Sequence, residues 1–125
     1  MILECKYTFE CDDKIAPYII ELNEIGYKTD FCCSGHSDKG ELDTEPYISF
    51  LRIPSNIIHK GIGAPSNWTL EYEENHLVIR RHYSPDELQI FTIDQLINIS
   101  MQELKHWVKS LKPINLYESV EIKRI

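Results

Sequence analysis

The residues best equipped for chemistry stand together in the run Cys32-Cys33-Ser34-Gly35-His36. It offers thiols, a hydroxyl and an imidazole that titrates near neutrality. Gly35 permits a backbone turn that other residues resist, and such a turn aims successive N–H groups into a concavity suited to an anion. The implied chemistry is recognition of a small anionic ligand. Cys33, Ser34, Gly35 and His36 would surround its charge, Arg52 from the next strand would offset that charge with a bidentate fork, and Tyr47 or Phe50 would pack on a flat part. Arg80 and Arg81 are further candidates for the charge, and Trp68, Tyr72 and Tyr83 for the wall. The plainer reading is a tight turn in which one of the two cysteines faces the core, His36 caps a carbonyl, and the arginines are solvated.

Other chemistries fit less well. Cys33-x-x-His36 has a ligand spacing known from zinc sites, but no second C-x-x-C or C-x-x-H pair accompanies it, so no metal is assigned. A nucleophilic Cys33 would need a thiol-lowering neighbour, and no arginine loop of the thiol-phosphatase kind follows it. Asp38, Glu41, Asp43 and Glu45 could hold a hard cation, yet their spacing is not that of a calcium loop and reads as a solvated acidic segment. Gly61-Ile62-Gly63 is not a phosphate loop.

Composition narrows the classes. The chain has 125 residues, 42% hydrophobic and 26% charged, which suits one globular domain able to bury a core without a metal or disulfide. A formal charge of −7 argues against nucleic-acid polymers, since Arg80-Arg81-His82, the lysines from 105 to 112, and Lys123-Arg124 are short basic clusters. No apolar run approaches the roughly 18 residues that would cross a bilayer. Met1-Ile2-Leu3-Glu4 has neither a basic region nor a long apolar stretch, so no secretory leader is expected, and the four cysteines are expected to be reduced thiols in the cytoplasm. A vicinal disulfide between Cys32 and Cys33 would be strained.

The elements that must position the run follow from periodicity. Residues 2–10 alternate as one strand. Asp12-Asp13 can begin a helix with an apolar stripe of Ile15, Tyr18, Ile19, Leu22 and Ile25, with Pro17 confined to its first turn and Gly26 at its left-handed end. Residues 27–33 form a short strand, 34–45 a polar loop, and 46–53 a strand whose parity sets Tyr47, Ser49, Leu51 and Ile53 apart from Ile48, Phe50 and Arg52. A hairpin follows over 68–72 and 77–83 with Asn75 in its turn. Capping-box spacing at Ser84-Glu87, Thr92-Gln95 and Ser100-Glu103 precedes or interrupts a helix over 92–111, and residues 116–123 close as a strand. The class is α+β: a mixed, mostly antiparallel sheet of about six strands with two main helices on one face.

From Leu22 to Phe50 the chain, LNEIGYKTDFCCSGH…PYISF, resembles a pattern in small uncharacterised bacterial and phage proteins: helix, glycine, strand, a C/S-C-S-G-H turn, then a Y-I-x-F strand. Cys33-Ser34-Gly35 is also similar to the S-S-C-S-G-R turn of the wybutosine-synthesising methyltransferases of the TYW-three type, where His36 stands in place of the arginine. The latter resemblance implies a strand–turn–strand site for an adenine nucleotide or S-adenosylmethionine. These readings converge on a small-ligand domain for a nucleotide-like anion, such as a phage or prophage protein that sequesters a nucleotide signal. A cysteine/histidine- or S-adenosylmethionine-dependent enzyme and a homodimeric interaction protein are the alternatives.

Overall fold

A computed structural model describes residues 2–4, 8–51, 53–54, 57, 62–73, 76–113 and 119–120. The central feature is a four-stranded antiparallel sheet of β3 (Thr29–Cys33), β6 (Tyr47–Phe50), β9 (His76–Arg80) and β8 (Thr69–Glu73), in that spatial order. Strand parity decides its two faces. Ile48 and Phe50 of β6 and Leu77 and Ile79 of β9 point into the core, whereas Tyr47 and Ser49 stand on the opposite face. Both main helices, α1 (Ala16–Glu24) and α3 (Ile93–Ser110), pack on the core side through Ile19 and Leu22 and through Met101, Leu104, Trp107 and Val108. The α+β class, the antiparallel sheet and the one-sided helices are as the sequence implies.

Local chemistry explains the helix ends. Pro17 lies in the first turn of α1, and Gly26 follows its end at φ 102°. The carboxylate of Asp12 does not cap this helix; its carbonyl accepts the N–H groups of Ile15 and Ala16, and its side chain turns elsewhere. Thr92 and Gln95 form a reciprocal capping box at the start of α3, and Ser84 and Glu87 do so for the short α2 (Pro85–Ile90). The third spacing, at Ser100, is not a cap. Its hydroxyl donates back to the Leu96 carbonyl at 2.7 Å inside an unbroken α3.

Other segments depart from the sequence reading. Within residues 2–10 the described segments are two antiparallel strands, β1 (Ile2–Glu4) and β2 (Thr8–Glu10), rather than one strand; the run of period-two alternation, with no glycine or proline, gives no sign of a break. The polar loop 34–45 is likewise a hairpin, β4 (His36–Asp38) with β5 (Glu41–Thr44). Lys39 and Gly40 turn it with φ 52° and 80°, the pair of positive values that a two-residue hairpin turn requires. Its strands lack an apolar alternation, and its anchor is Leu42, which packs on Tyr83, Ile93, Leu96 and Ile97. Only Ser119–Val120 of the expected closing strand is described; as β10 it pairs with β7 (Ile53–Pro54). The turn expected at Asn75 lies outside the described residues, as does Arg52.

Arg81 is a second organising residue, and a correction to its expected place on the surface. Its side chain is 2% exposed, with Nε donating to Glu103 at 2.8 Å, Nη1 to the His82 carbonyl at 2.9 Å, and both Nη atoms to Glu87. The guanidinium also lies 5.3 Å from the centre of the Tyr83 ring. It therefore ties β9 to α2 and α3 and is unavailable to a ligand.

Candidate functional site

Strand β3 ends in the turn that the sequence singles out, and its two cysteines part there. Cys32 is paired in register with Ile48, on the core face, and packs against the core. Its thiol donates to the sulfur of Cys11; this hydrogen bond lowers the Cys11 pKa and raises that of Cys32. Cys33 is paired with Tyr47, on the other face, and its sulfur lies within 4.8 Å of the Asp12 carboxylate. Burial, with the nearby Asp12 charge, pushes the Cys33 thiol up, against a backbone N–H from Gly35 that reaches Sγ at 3.4 Å. At neutral pH Cys33 is thus a thiol, not an activated nucleophile.

Gly35 has φ 93°, and a Cβ built there would lie 3.1 Å from the Pro46 ring and 3.2 Å from the Thr44 carbonyl. The special bend foreseen at this glycine is present. Its donors, however, already have an anion. Asp12 Oδ2 accepts the Ser34 N–H at 3.0 Å and the Ser34 hydroxyl at 3.2 Å, and His36 Nε2 lies 3.3 Å away. Burial disfavours the Asp12 carboxylate, but these donors outweigh it and lower its pKa. The hollow beside the turn, about 300 Å³, is bounded by Asp12, Asp13 and Asp94, with Lys14 and His36 as its basic residues. The Ser34 donors of the turn are thus met by a carboxylate of the chain, beside a hollow bounded by three aspartates and two basic residues. Asp12, read in the sequence as a helix start, is the residue that the sequence reading missed. Asp12, Cys33 and His36 bring a carboxylate oxygen, a sulfur and a ring nitrogen within 4.8 Å of one another.

The remaining expected residues divide between two faces. Phe50 is 1% exposed among Ile48, Leu77 and Ile79, so it holds the core and cannot pack on a ligand. Tyr47 stands on the other face, where Phe31, Ser49, Glu73, His76, Val78 and Arg80 join it around a groove of about 700 Å³. Phe31 is 62% exposed. It lies two positions before Cys33 on the same strand face, so parity could have found it. A bulge at Asp30 shifts the register of β3 there and tucks Asp30 inward, where its Oδ2 lies 3.2 Å from Nδ1 of His76. Arg80 lies 5.0 Å from the Tyr47 ring centre and pairs with Glu73 at 2.9 Å and Glu71 at 3.6 Å. A larger but more open hollow of about 880 Å³ lies on the helical side, along Tyr18, Gln102, His106 and Trp107.

Among the described residues no helix is long and apolar enough to cross a membrane. Comparison with protein-family models, with curated proteins and with solved structures returned no match.

Proposed function

We propose that this chain is a small-ligand-binding domain for a flat, anionic molecule of the nucleotide kind, held in the groove on the face of the sheet opposite the helices. The observation that carries the reading is the Phe31 ring, 62% exposed at the wall of a groove of about 700 Å³. A large aromatic left open beside a concavity of ligand size costs solvation free energy unless something covers it. Phe31 and Tyr47 supply faces for a planar ring, and Ser49 and His76 supply polar groups. Arg80 is the cation for the anionic part. Its partner Glu73 is 51% exposed, so that ion pair is weak and an entering phosphate displaces it at small cost. The reading keeps Tyr47 from the sequence, moves the site away from the filled turn, and replaces Phe50 with Phe31.

The test is a thermal-shift and calorimetric titration with AMP, GMP, their cyclic forms and S-adenosylmethionine. A nucleotide is expected to raise Tm, and Phe31→Ala is expected to weaken its binding by about 1–3 kcal/mol, the worth of one stacked base. No shift with any probe, or equal binding by the variant, overturns the reading. A catalytic alternative draws on His76, whose buried Nδ1 has no hydrogen-bond partner among the described residues although the Asp30 carboxylate lies 3.2 Å away; a small rotation that aligned the two would ready its other nitrogen as a general base. Conversion of a bound probe to product, lost in His76→Ala, would select it.

A further inference from the structure

We propose that Asp12, Cys33 and His36 form a binding site for one divalent transition-metal ion of the zinc class, with a fourth coordination position open to solvent. The inference does not depend on the groove being a ligand site.

Geometry carries it first. The three donor atoms lie within 4.8 Å of one another. Bonds of 2.0–2.3 Å in a tetrahedron set ligand atoms about 3.3–3.8 Å apart, so closing the cluster takes a movement of about 1.5 Å at most. The His36 Nε2 to Asp12 Oδ2 distance, 3.3 Å, already matches such an edge. The turn is built to hold this arrangement. Gly35, at φ 93° against Pro46, reverses the chain so that Cys33 and His36 reach the same side, and Asp12 meets them from the segment that follows β2.

Donor chemistry carries it second. Thiolate with imidazole and carboxylate is a set for zinc and its neighbours, whereas magnesium and calcium prefer oxygen throughout. Thiolate and carboxylate charges cancel the ion's two positive charges, so the loaded centre is neutral and its burial inexpensive. Three protein ligands with an open position is the pattern of zinc centres that take a water or an incoming ligand, not of closed structural ones. His36 is 50% exposed on its side chain, which leaves the fourth position to water or to a ligand entering the hollow of about 300 Å³.

Outer partners carry it third. Metal-binding carboxylates and thiolates are normally held by further hydrogen bonds. Here Ser34 holds Asp12 with its N–H and hydroxyl, and the Gly35 N–H donates to the Cys33 sulfur at 3.4 Å. Coordination would replace the Cys33 thiol proton with the metal and release it to solvent.

The experiment uses the full chain stripped with chelator and titrated with cobalt(II) chloride, then zinc chloride. One cobalt is expected to bind, with a thiolate-to-metal charge-transfer band in the near ultraviolet and intense tetrahedral bands in the visible, and zinc is expected to bleach both. Cys33→Ser should remove the charge-transfer band. His36→Ala, with a half-exposed side chain and an unchanged far-ultraviolet CD spectrum, should bind cobalt at least tenfold more weakly. Should Cys33→Ser fail to fold, alkylation of the wild type decides: zinc must slow the reaction of Cys33 with iodoacetamide at least tenfold. Absence of a saturable band, a band that survives Cys33→Ser, wild-type affinity in His36→Ala, or zinc-independent alkylation overturns the site.

Discussion

The carboxylate of Asp12 can be removed with a calculable consequence. In Asp12→Ala the Ser34 N–H loses its acceptor at 3.0 Å while Ser34 itself is 2% exposed, so a donor is left in a place water does not reach. The lost charge-assisted hydrogen bond is worth about 1.5 kcal/mol and the orphaned donor costs about 1 kcal/mol more. The Ser34 hydroxyl adds little, because it can rotate to the Gly35 carbonyl 3.4 Å away. The His36 contact adds little as well, since its side chain is 50% exposed and the pair is screened. The sum is a destabilisation of about 2–3 kcal/mol, or a fall in Tm of roughly 8–11 °C for a chain of this length. Asp12→Asn retains an oxygen acceptor and forfeits only the charge, so about 1 kcal/mol is expected. The assay is urea unfolding followed by tryptophan fluorescence, with chelator present so that no metal stabilises either form. Because the folded-state pKa of Asp12 is lowered, its contribution is complete above the unfolded value and fades as pH falls through the folded one. An alanine variant within 0.5 kcal/mol of wild type, or an asparagine variant as damaged as alanine, would refute the view that Asp12 fills the turn.

Gly35→Ala is expected to cost about 1–3 kcal/mol by chemical denaturation, since its Cβ meets Pro46 and Thr44 at positive φ, whereas Gly40→Ala at φ 80° meets nothing within 4 Å and should cost about 1 kcal/mol or less. His36→Ala should leave metal-free stability within about 0.5 kcal/mol, because the lost contact is half exposed. Arg81→Met should destabilise by about 3–5 kcal/mol, as it strands the carboxylate of Glu103, 11% exposed, without its cation. Glu87 is held at about 2 chiefly by its hydrogen bonds from Arg81, so its stabilisation is complete above the unfolded carboxylate range and is lost as pH falls towards 2; acid titration of Glu87→Gln should lack about 1–2 kcal/mol of the wild-type loss after allowance for solvent screening.

The α+β class, both long helices and the hairpin of β8 with β9 were legible because each rests on a periodic apolar face or a side-chain cap that two or three residue types define. The two hairpins at 2–10 and 36–44 were not. In the first, the sequence alternation runs unbroken from 2 to 10 and gives no sign that Ile2–Glu4 and Thr8–Glu10 pair antiparallel; in the second, the strands are solvent-facing, and the anchoring contacts of Leu42 come from residues some forty to fifty-five positions later. The bend at Gly35 was legible for a local reason, since only glycine tolerates it, but the sequence could not say which group would meet its donors. That group, Asp12, lies 22 positions earlier, and its separation from Ser34 is bridged by a helix and a strand whose packing no local pattern specifies. A turn rich in N–H donors predicts an anion, and in this structure the Asp12 carboxylate of the chain itself accepts from Ser34 there. Once the carboxylate is in place, the Ser34 N–H and hydroxyl are already paired and no longer argue for an external anion. The motif that reads as an anion cradle in isolation becomes, with Asp12 beside Cys33 and His36, the set of three donors on which the proposed cation site rests.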